Sequence, residues 1–173
     1  MTTEVRETEQ KYEVEGDVAL PSFAGLPRVA SVSEPELQTL TAEYYDTDDL
    51  RLLRAGITLR RREGGSDAGW HLKLPDTAGR TAGASSRREI RLTLDQGDRD
   101  RIDRGRKSGG DPVPAELARL VRAHARDASL RPVARIETRR RRTTLRDAEG
   151  TSLAEIASIP YSGANGTPPS VFW

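Results

Sequence analysis

A chain of 173 residues can form one domain with a hydrophobic core and is too short to predict two. Charged residues make up 32% and apolar residues 35%, and the formal net charge is only +1, a balance that favours a folded domain over a disordered one. The absence of cysteine excludes disulfides and thiolate zinc sites, and two histidines cannot by themselves build a histidine-rich metal centre.

The sequence gives no sign of a membrane. It has no apolar stretch near the ~20 residues of a spanning helix and no apolar N-terminal segment typical of a signal peptide. We therefore expect a cytoplasmic protein. Nearly all basic residues are arginine, since only Lys11, Lys73 and Lys107 carry an ammonium group. A GC-rich genome would also produce this excess, so the positions of the arginines are more informative than their number.

Alternating apolar and polar residues predict a series of strands. In chain order they are Glu4 to Glu15, Thr39 to Tyr45, Ile57 to Glu63, Gly69 to Leu74, Ser86 to Leu94, Val133 to Leu145 and Thr151 to Ile156. Residues Asp147 to Gly150 predict a hairpin turn between the last two. Many antiparallel strands with few helices indicate a barrel or a sandwich.

Three segments have helical features. "SEPELQTL" predicts a helix that begins after Ser33, and "DTDDLRLLRAG" predicts a short one from Asp48, capped by Asp46 or Thr47 and ended by Gly56. "DPVPAELARLVRAHARD" has apolar residues at helical spacing. The tract "DQGDRDRIDRGRKSGGD" mixes charges with glycine, which predicts an exposed connection.

Cations recur on one face of several predicted strands. In "GITLRRREG", Thr58 shares a face with Arg60 and Arg62. In "WHLKLP", His71 and Lys73 alternate with apolar residues. A polar row on one strand indicates solvent exposure, but rows on successive strands indicate a cationic interior that needs a polyanion as counter-charge. By the same alternation the residues that point outward are Arg61, Arg88, Arg139 and Arg141.

The first predicted strand carries acids. In "VRETEQKYEV", Glu7, Glu9 and Lys11 share a face, and like charges that close repel unless something binds between them. Paired carboxylates suit a hard divalent cation such as Mg²⁺ or Mn²⁺, which often bridges to phosphates. Arginine forks match phosphate oxygens. A metal ion together with arginine and lysine side chains is typical of sites for phosphoryl or nucleotidyl transfer.

The Glu7-Thr-Glu9-Gln-Lys11 stretch resembles the ExExK signature of the CYTH family, the triphosphate tunnel metalloenzymes. That family includes class IV adenylate cyclases, thiamine triphosphatases and inorganic triphosphatases. Further matches follow in the family's order, from about Glu4 to Ile156. They are "EYYDTDDLRLLRAGITLRRR", "GWHLKLP", the pattern Arg87-x-Glu89-x-Arg91, "RPVARIETRRRR" and "LAEI".

The resemblance implies an α+β fold, mainly antiparallel β, in which an eight-stranded triphosphate tunnel barrel has a few flanking helices. The CYTH domain would span residues 1–157. Residues 158–173 would be an atypical tail in place of the closing strands. In "SIPYSGANGTPPSVFW" glycine and proline predict a poor strand, so we expect the barrel to be incomplete and the family's C-terminal metal ligands to be missing. A frameshift, a truncated gene or a degenerate copy would each explain this departure.

The resemblance also implies site residues. The cofactor would be Mg²⁺ or Mn²⁺, and the metal ligands would be Glu7, Glu9, Glu89 and Glu155, of which the last two would otherwise orient arginines. Lys11 would act in catalysis and bind phosphate. The other phosphate-binding residues would be Arg60, Arg62, Lys73, Arg87 and Arg140, with Arg91, Arg135 and Arg142 as further candidates. No residue is identified as the general base.

The function implied is metal-dependent hydrolysis of an inorganic or organic triphosphate. The alternatives are an adenylate cyclase of the same fold and a catalytically impaired polyphosphate-binding module, for which turnover would be slow or absent. Few aromatic residues and a near-neutral charge argue against a nucleic-acid partner. Many bacterial relatives carry a polyphosphate-binding CHAD domain, which this sequence does not represent.

Four single residues have ordinary predicted roles. We expect Tyr44 and Tyr45 to be packing aromatics and His71 to be a surface or rim residue. His124 lies in the last predicted helix, where we expect a structural role.

Overall fold

The computed structural model describes residues 2–13, 20–75, 85–94, 113–126, 128–159 and 170–172. Ten strands and two helices lie within these ranges. They are β1 (Thr2–Glu9), β2 (Lys11–Glu13), β3 (Ser31–Val32), β4 (Glu36–Asp46), α1 (Arg51–Arg54), β5 (Thr58–Glu63), β6 (Gly69–Pro75), β7 (Ser85–Thr93), α2 (Ala115–Ala125), β8 (Arg131–Arg146), β9 (Ser152–Ser158) and β10 (Ser170–Phe172). The predicted connection over residues 95–111 lies outside the described residues.

The fold is mainly antiparallel β with a few helices, as predicted. The chain divides into two compact units. The first contains Met1–Thr8, Leu40–Arg80 and Ser86–Glu137. Its strands are hydrogen-bonded in the order β1-β7-β6-β5-β4, and it also holds both helices.

The second unit contains Glu9–Thr39, Thr81–Ser85 and Thr138–Trp173. Its strands follow the order β4-β8-β9-β10-β2, with β3 paired to β8. The long strands β4 and β8 contribute residues to both units.

The predicted helix after Ser33 is wrong, because this segment forms β4. Gln38, Leu40 and Ala42 are buried at every second position, which is the period of a strand with one covered face. Glutamate and leucine favour helices in isolation, but incorporation of β4 into the sheet between β5 and β8 overrides that weak preference.

Strand number also differs from the predicted eight. The predicted strand Glu4 to Glu15 is divided at Gln10 into β1 and β2. Near the C-terminus, Ser170–Phe172 forms β10, which pairs with both β9 and β2. Valine and phenylalanine favour extended backbone, and they lie beyond the proline pair on which the poor-strand prediction depended.

The hydrophobic core of the first unit lies between one face of the sheet and the helices. Its strand side chains include Tyr45 and Trp70, whose ring centroids are 4.8 Å apart at an interplanar angle of 53°. Helix α2 buries Leu117, Val121 and Ala125, which recur every four residues. Burial of each large side chain contributes about 1.5–3 kcal/mol, so the opposite face of the sheet is left for polar residues.

The short helix begins at Arg51 and not at the predicted Asp48, and its N-cap position is Leu50, but the two predicted capping side chains do accept hydrogen bonds from its first turn. The Asp46 carboxylate accepts hydrogen bonds from the backbone N–H groups of Leu52 and Leu53, each at 2.9 Å, and the Thr47 hydroxyl accepts from Arg51 N–H at 3.1 Å. Leu50, before the helix, has a left-handed φ of 55°. These bonds hold that strained turn in place.

The predicted hairpin turn between β8 and β9 is confirmed. Oδ1 of Asp147 accepts hydrogen bonds from the backbone N–H groups of Glu149 at 3.1 Å and Thr151 at 2.8 Å. Gly150 has a φ of 81°, a conformation that glycine adopts without strain.

Candidate functional site

Strands β5, β6 and β7 pair side by side, and their register aligns polar residues in rows. One row contains Arg60, His71 and Arg91, and the next contains Thr58, Lys73 and Glu89. Because alternate residues share a face, these two rows lie on one surface of the sheet. The residues of this surface, called the cationic face below, are Arg60, Arg62, His71, Lys73, Arg87, Glu89 and Arg91.

The other surface of these strands explains why the cationic face is polar. Leu59, Trp70, Leu72 and Ile90 alternate with the polar residues and are buried in the core. The predicted alternation in "WHLKLP" is therefore confirmed, since Trp70 and Leu72 are fully enclosed. A one-residue slip in register would move these apolar side chains out of the core, so core packing fixes the direction of the cations.

Glu89 is at the centre of the cationic face and is 1% exposed. Oε1 lies 2.9 Å from His71 Nδ1 and 4.0 Å from Lys73 Nζ, while Oε2 accepts from Arg91 Nε at 2.7 Å and Nη2 at 2.5 Å. Burial raises the pKa of Glu89, but the hydrogen bond from His71, the charge of Lys73 and the contacts of Arg91 outweigh it and lower the pKa to about 2.

The sequence predicted that His71 would be a surface or rim residue. This prediction is wrong, because only 1% of His71 is exposed. Its Nδ1 faces Glu89, and its Nε2 lies 2.8 Å from the backbone carbonyl oxygen of Asp67. Both partners offer acceptor oxygens, and the tautomer of the ring decides which nitrogen donates. The prediction relied on the polarity of histidine. It failed because His71 is paired on both sides, with Arg60 of β5 and Arg91 of β7, inside the sheet.

Arg62 contacts the loop between β5 and β6. Its Nη1 donates to Oδ2 of Asp67 at 2.5 Å, and the side chain is largely buried. Arg61, which alternation placed on the opposite surface, lies beside Trp70 in register and pairs with Glu63 at 2.8 Å. It is directed away from the cationic face but is buried.

Two arginines of the cationic face have no carboxylate partner among the described residues. Nε of Arg60 is buried without a hydrogen-bond partner in that part of the chain. Arg87 is half-buried beside Pro75 in register, and no described acid pairs with it. Among the contacts that the structure describes, the four arginines and the lysine of this face thus have two carboxylate partners, Glu89 and the neighbouring Asp67.

The second unit holds a separate group of predicted residues on β8. Arg140 donates from Nε and Nη2 to Oε1 of Gln38, at 3.1 Å and 3.0 Å. Arg142 lies 3.3 Å from Glu155 and 3.4 Å from Glu36. Arg140 and Arg142 are half-buried, which is the expected alternation with the exposed Arg139 and Arg141.

The remaining predicted residues are placed as follows. Backbone pairing joins Arg142 to Ala157, Ala157 to Phe172 and Phe172 to Lys11, so Lys11 is in the same cross-strand row as Arg142. Glu9 is half-buried. Glu7 lies in β1, and its side chain is outside the described part of the structure. Arg135, in the first unit, is exposed on β8.

The carboxylates differ in how well they fit a metal ion. In the described ranges, no three His, Asp or Glu side chains form a group that could hold one. Both oxygens of Glu89 already contact cationic side chains, which disfavours a ligand role for it. Glu155 is about half exposed and contacts Arg142 through Oε1, so its donor chemistry fits Mg²⁺ or Mn²⁺.

Sequence reasoning missed three polar partners of the predicted cations. They are Glu36, Gln38 and Asp67. The first two fell in the segment misassigned as a helix. Gln38 could have been found from the alternation of this segment, which has the period of a strand. That alternation places Gln38 on the buried face with Leu40 and leaves Leu37 exposed.

Residues 5–157 match the family model described as the CYTH domain, so the chain belongs to the CYTH family. It is 43% identical over 152 residues to a protein of Mycobacterium tuberculosis, described only as uncharacterised, in strains CDC 1551 and H37Rv. The match covers 88% of this chain and 26% of the relatives, so the chain spans about a quarter of their length.

Two solved structures share the fold. One is a Hippeastrum protein described as a candidate adenylyl cyclase with a dominant triphosphatase activity, with a TM-score of 0.55 and 19% identity over 95% of this chain and 77% of that one. The other is a candidate adenylate cyclase from Bacillus halodurans, with a TM-score of 0.59 and 16% identity over the same shares. Enzymes of this family are generally metal-dependent.

None of the helices in the described ranges has the length and apolar character required to span a membrane.

Proposed function

We propose that this chain binds triphosphates and hydrolyses them with a divalent metal ion, the substrate being inorganic triphosphate or an organic triphosphate. The observation that carries the proposal is Arg60, whose buried Nε has no acceptor among the described residues, on a face where cations outnumber carboxylates. One buried N–H donor without an acceptor costs about 1–3 kcal/mol, which an anionic ligand would offset.

The chemistry of the cationic face supports phosphate over a carboxylate ligand. Arg60 and Arg87 each present a planar fork of N–H donors, which matches two oxygens of one phosphate group. Lys73, between them along the surface, adds a compact positive charge. A chain of phosphates offers several anionic groups at short spacing, so it can use these cations together.

Phosphate contacts are also proposed for residues of the second unit, as the family resemblance implies. Arg140 donates two hydrogen bonds to Gln38, and these bonds fix the direction of the guanidinium group that is proposed to bind phosphate. Arg142 and Lys11 are proposed to bind phosphate from a shared cross-strand row, with Lys11 also acting in catalysis. Arg135 is the weakest of the proposed contacts. It is exposed, and it alternates along β8 with the positions of Arg140 and Arg142.

For the metal ion, the proposed ligands are Glu7, Glu9 and Glu155, as the family resemblance implies. When bound, Mg²⁺ or Mn²⁺ would neutralise phosphate charge during phosphoryl transfer. For Glu89 we propose the other role that the resemblance allows, as the acid that orients Arg91 and Lys73, because its oxygens already contact these cations. The proposed domain, residues 1–157, contains every one of these residues.

The binding half of the proposal is tested by thermal unfolding with tripolyphosphate. We expect tripolyphosphate to raise Tm of the wild type, and Arg60→Gln to weaken its affinity by about 10- to 100-fold, the loss expected for a charge-assisted pair of bonds. Arg119→Gln is the matched control, since Arg119 is exposed on α2. Wild type without any thermal shift would contradict triphosphate binding.

Turnover is tested by measuring phosphate release with and without Mg²⁺ or Mn²⁺. We expect release from tripolyphosphate only with the metal ion. Binding without release would favour the polyphosphate-binding module over the enzyme. With ATP, phosphate as product supports the hydrolase, whereas pyrophosphate together with cyclic AMP would identify an adenylate cyclase.

A further inference from the structure

His71 joins two groups of cations on the cationic face. On one side, its Nδ1 lies 2.9 Å from Glu89, which accepts from Arg91 and lies 4.0 Å from Lys73 Nζ. On the other, its Nε2 lies 2.8 Å from the Asp67 carbonyl oxygen, and the Asp67 carboxylate accepts from Arg62. One buried ring therefore links three of the proposed phosphate-binding residues.

His71 also connects two strands to a loop of the fold. His71 lies in β6, Glu89 in the adjacent strand β7, and Asp67 in the loop that follows β5. That loop contains Gly64 and Gly65, both with left-handed φ, at 82° and 74°. Glycine leaves many backbone conformations open, and the contact of His71 with the Asp67 carbonyl oxygen restricts them.

We propose that His71 is a positioning residue that fixes Arg62, Lys73 and Arg91 before the triphosphate binds. This inference rests on the proposed function. The ring acts through Glu89 and Asp67 and is not proposed to touch phosphate. Ordering long cationic side chains in advance removes part of the entropy cost of binding.

An apolar side chain of similar size could fill the same space but could make neither polar contact. Glu89 would then keep its charge with one donor fewer in a site closed to water, and the Asp67 loop would lose its anchor to β6. Both changes loosen the cations while leaving the opposite, apolar surface of β6 intact. The effect of His71 should therefore appear in cation order and ligand affinity more than in core packing.

The test compares His71→Leu, His71→Asn and His71→Gln with the matched control His124→Leu. His124 is the only other histidine and is exposed on α2. Leucine removes both ring nitrogens, asparagine can place one amide group near the Nδ1 position towards Glu89, and glutamine reaches further, towards Nε2 and Asp67. The three variants thus separate the two bonds of the ring.

The first readout needs no ligand. In ¹H–¹⁵N spectra of the arginine side chains, we expect the Arg91 Nε–H signal, assigned with Arg91→Lys, to be slow to exchange in wild type, His71→Asn and the control. It should exchange fast in His71→Leu, while the amide signals of Trp70 and Leu72 remain those of a folded core. If His71→Leu does not fold, His71→Gln, which lacks the bond to Glu89, provides the same comparison.

The second readout is tripolyphosphate affinity by calorimetry. We expect His71→Leu to weaken binding by about tenfold or more, His71→Asn to recover part of the loss, and His124→Leu to match wild type. Unchanged Arg91 exchange together with wild-type affinity in folded His71→Leu would overturn the inference. Failure of wild type to bind tripolyphosphate would overturn the proposed function instead, and Arg91 exchange would still decide whether His71 positions the cations.

Discussion

Glu89 shows how a single carboxylate can organise a cationic surface. Enclosed in the sheet, its charge loses hydration, a cost that only several donors can offset. His71, Lys73 and Arg91 provide that compensation, and in return the carboxylate fixes where their donors point. The acid that looked like a metal ligand in the sequence is therefore surrounded by cations, which makes an orienting role the better proposal.

The lowered pKa of Glu89 predicts how stability depends on pH. A carboxyl whose pKa falls from 4.5 to about 2 on folding stabilises the protein above pH 4.5, and this contribution is lost as the pH falls towards 2. Near neutral pH, Glu89→Gln should lower the free energy of unfolding by on the order of 2–3 kcal/mol. The difference from wild type should shrink steadily as the pH falls through that window.

Urea unfolding at a series of pH values checks this prediction. Glu149→Gln is the control, because Glu149 is exposed in the β8–β9 turn and its substitution should leave stability nearly unchanged. A difference between wild type and Glu89→Gln that stays constant between pH 4.5 and 2 would show that Glu89 does not titrate as the structure indicates.

At the level of elements, strands β5, β6 and β7 position the proposed site. Their apolar side chains pack in the core on one surface of the sheet, so the polar side chains must lie on the other surface. Gly69 fixes the closest approach between β6 and β7, since a Cβ there would lie 2.4 Å from the Leu92 carbonyl oxygen. The segment from Asp46 to Gly56 connects β4 to β5 and sets where β5 begins. The three site strands therefore depend on a turn that carries no proposed ligand.

The caps of that turn give an element-scale prediction. Asp46→Ala should destabilise the protein by about 1–2 kcal/mol, because it leaves the N–H groups of Leu52 and Leu53 without their carboxylate acceptor. Urea unfolding measures the loss. Glu149→Ala, which removes an exposed carboxylate from the β8–β9 turn, is the control and should change stability little. Equal stability of both variants would contradict the capping role of Asp46.

For the molecule as a whole, the charge balance matters as much as the local excess of cations. Lys and Arg number 28 and Asp and Glu 27, so the arginines of the cationic face are set in a nearly neutral protein. Nucleic acids require many dispersed phosphate contacts and a net basic surface. A compact triphosphate needs only a local group of cations, which favours the small ligand.

This balance predicts selectivity for the small anion. A single-stranded oligonucleotide of about 20 nucleotides should not displace tripolyphosphate at roughly physiological salt, because a net charge of +1 gives the longer polyanion little additional attraction. Competition in a fluorescence binding assay measures this. Tight oligonucleotide binding that weakens steeply with added salt would contradict the prediction and favour a nucleic-acid partner.

The sequence by itself determined the strands of the site and the direction of their cations. Period-two alternation around Trp70 and Leu72 placed Lys73 on the opposite surface, since exposing either apolar residue would cost more than any local preference could recover. The ordered motifs also led to the CYTH family, and the cap at Asp46 and the turn at Asp147 followed from side chains that bond to their own neighbouring backbone. All of these depend on residues close together in the chain.

Only the tertiary structure decided the contacts that join distant segments. It turned the segment after Ser33 into β4 and brought Gln38 to Arg140, 102 residues away. It also buried His71 against Glu89 and Asp67, which no local pattern predicts. Strand pairing selects these partners by cooperative packing of whole elements, and a single residue's polarity carries no information about which strand will lie beside it.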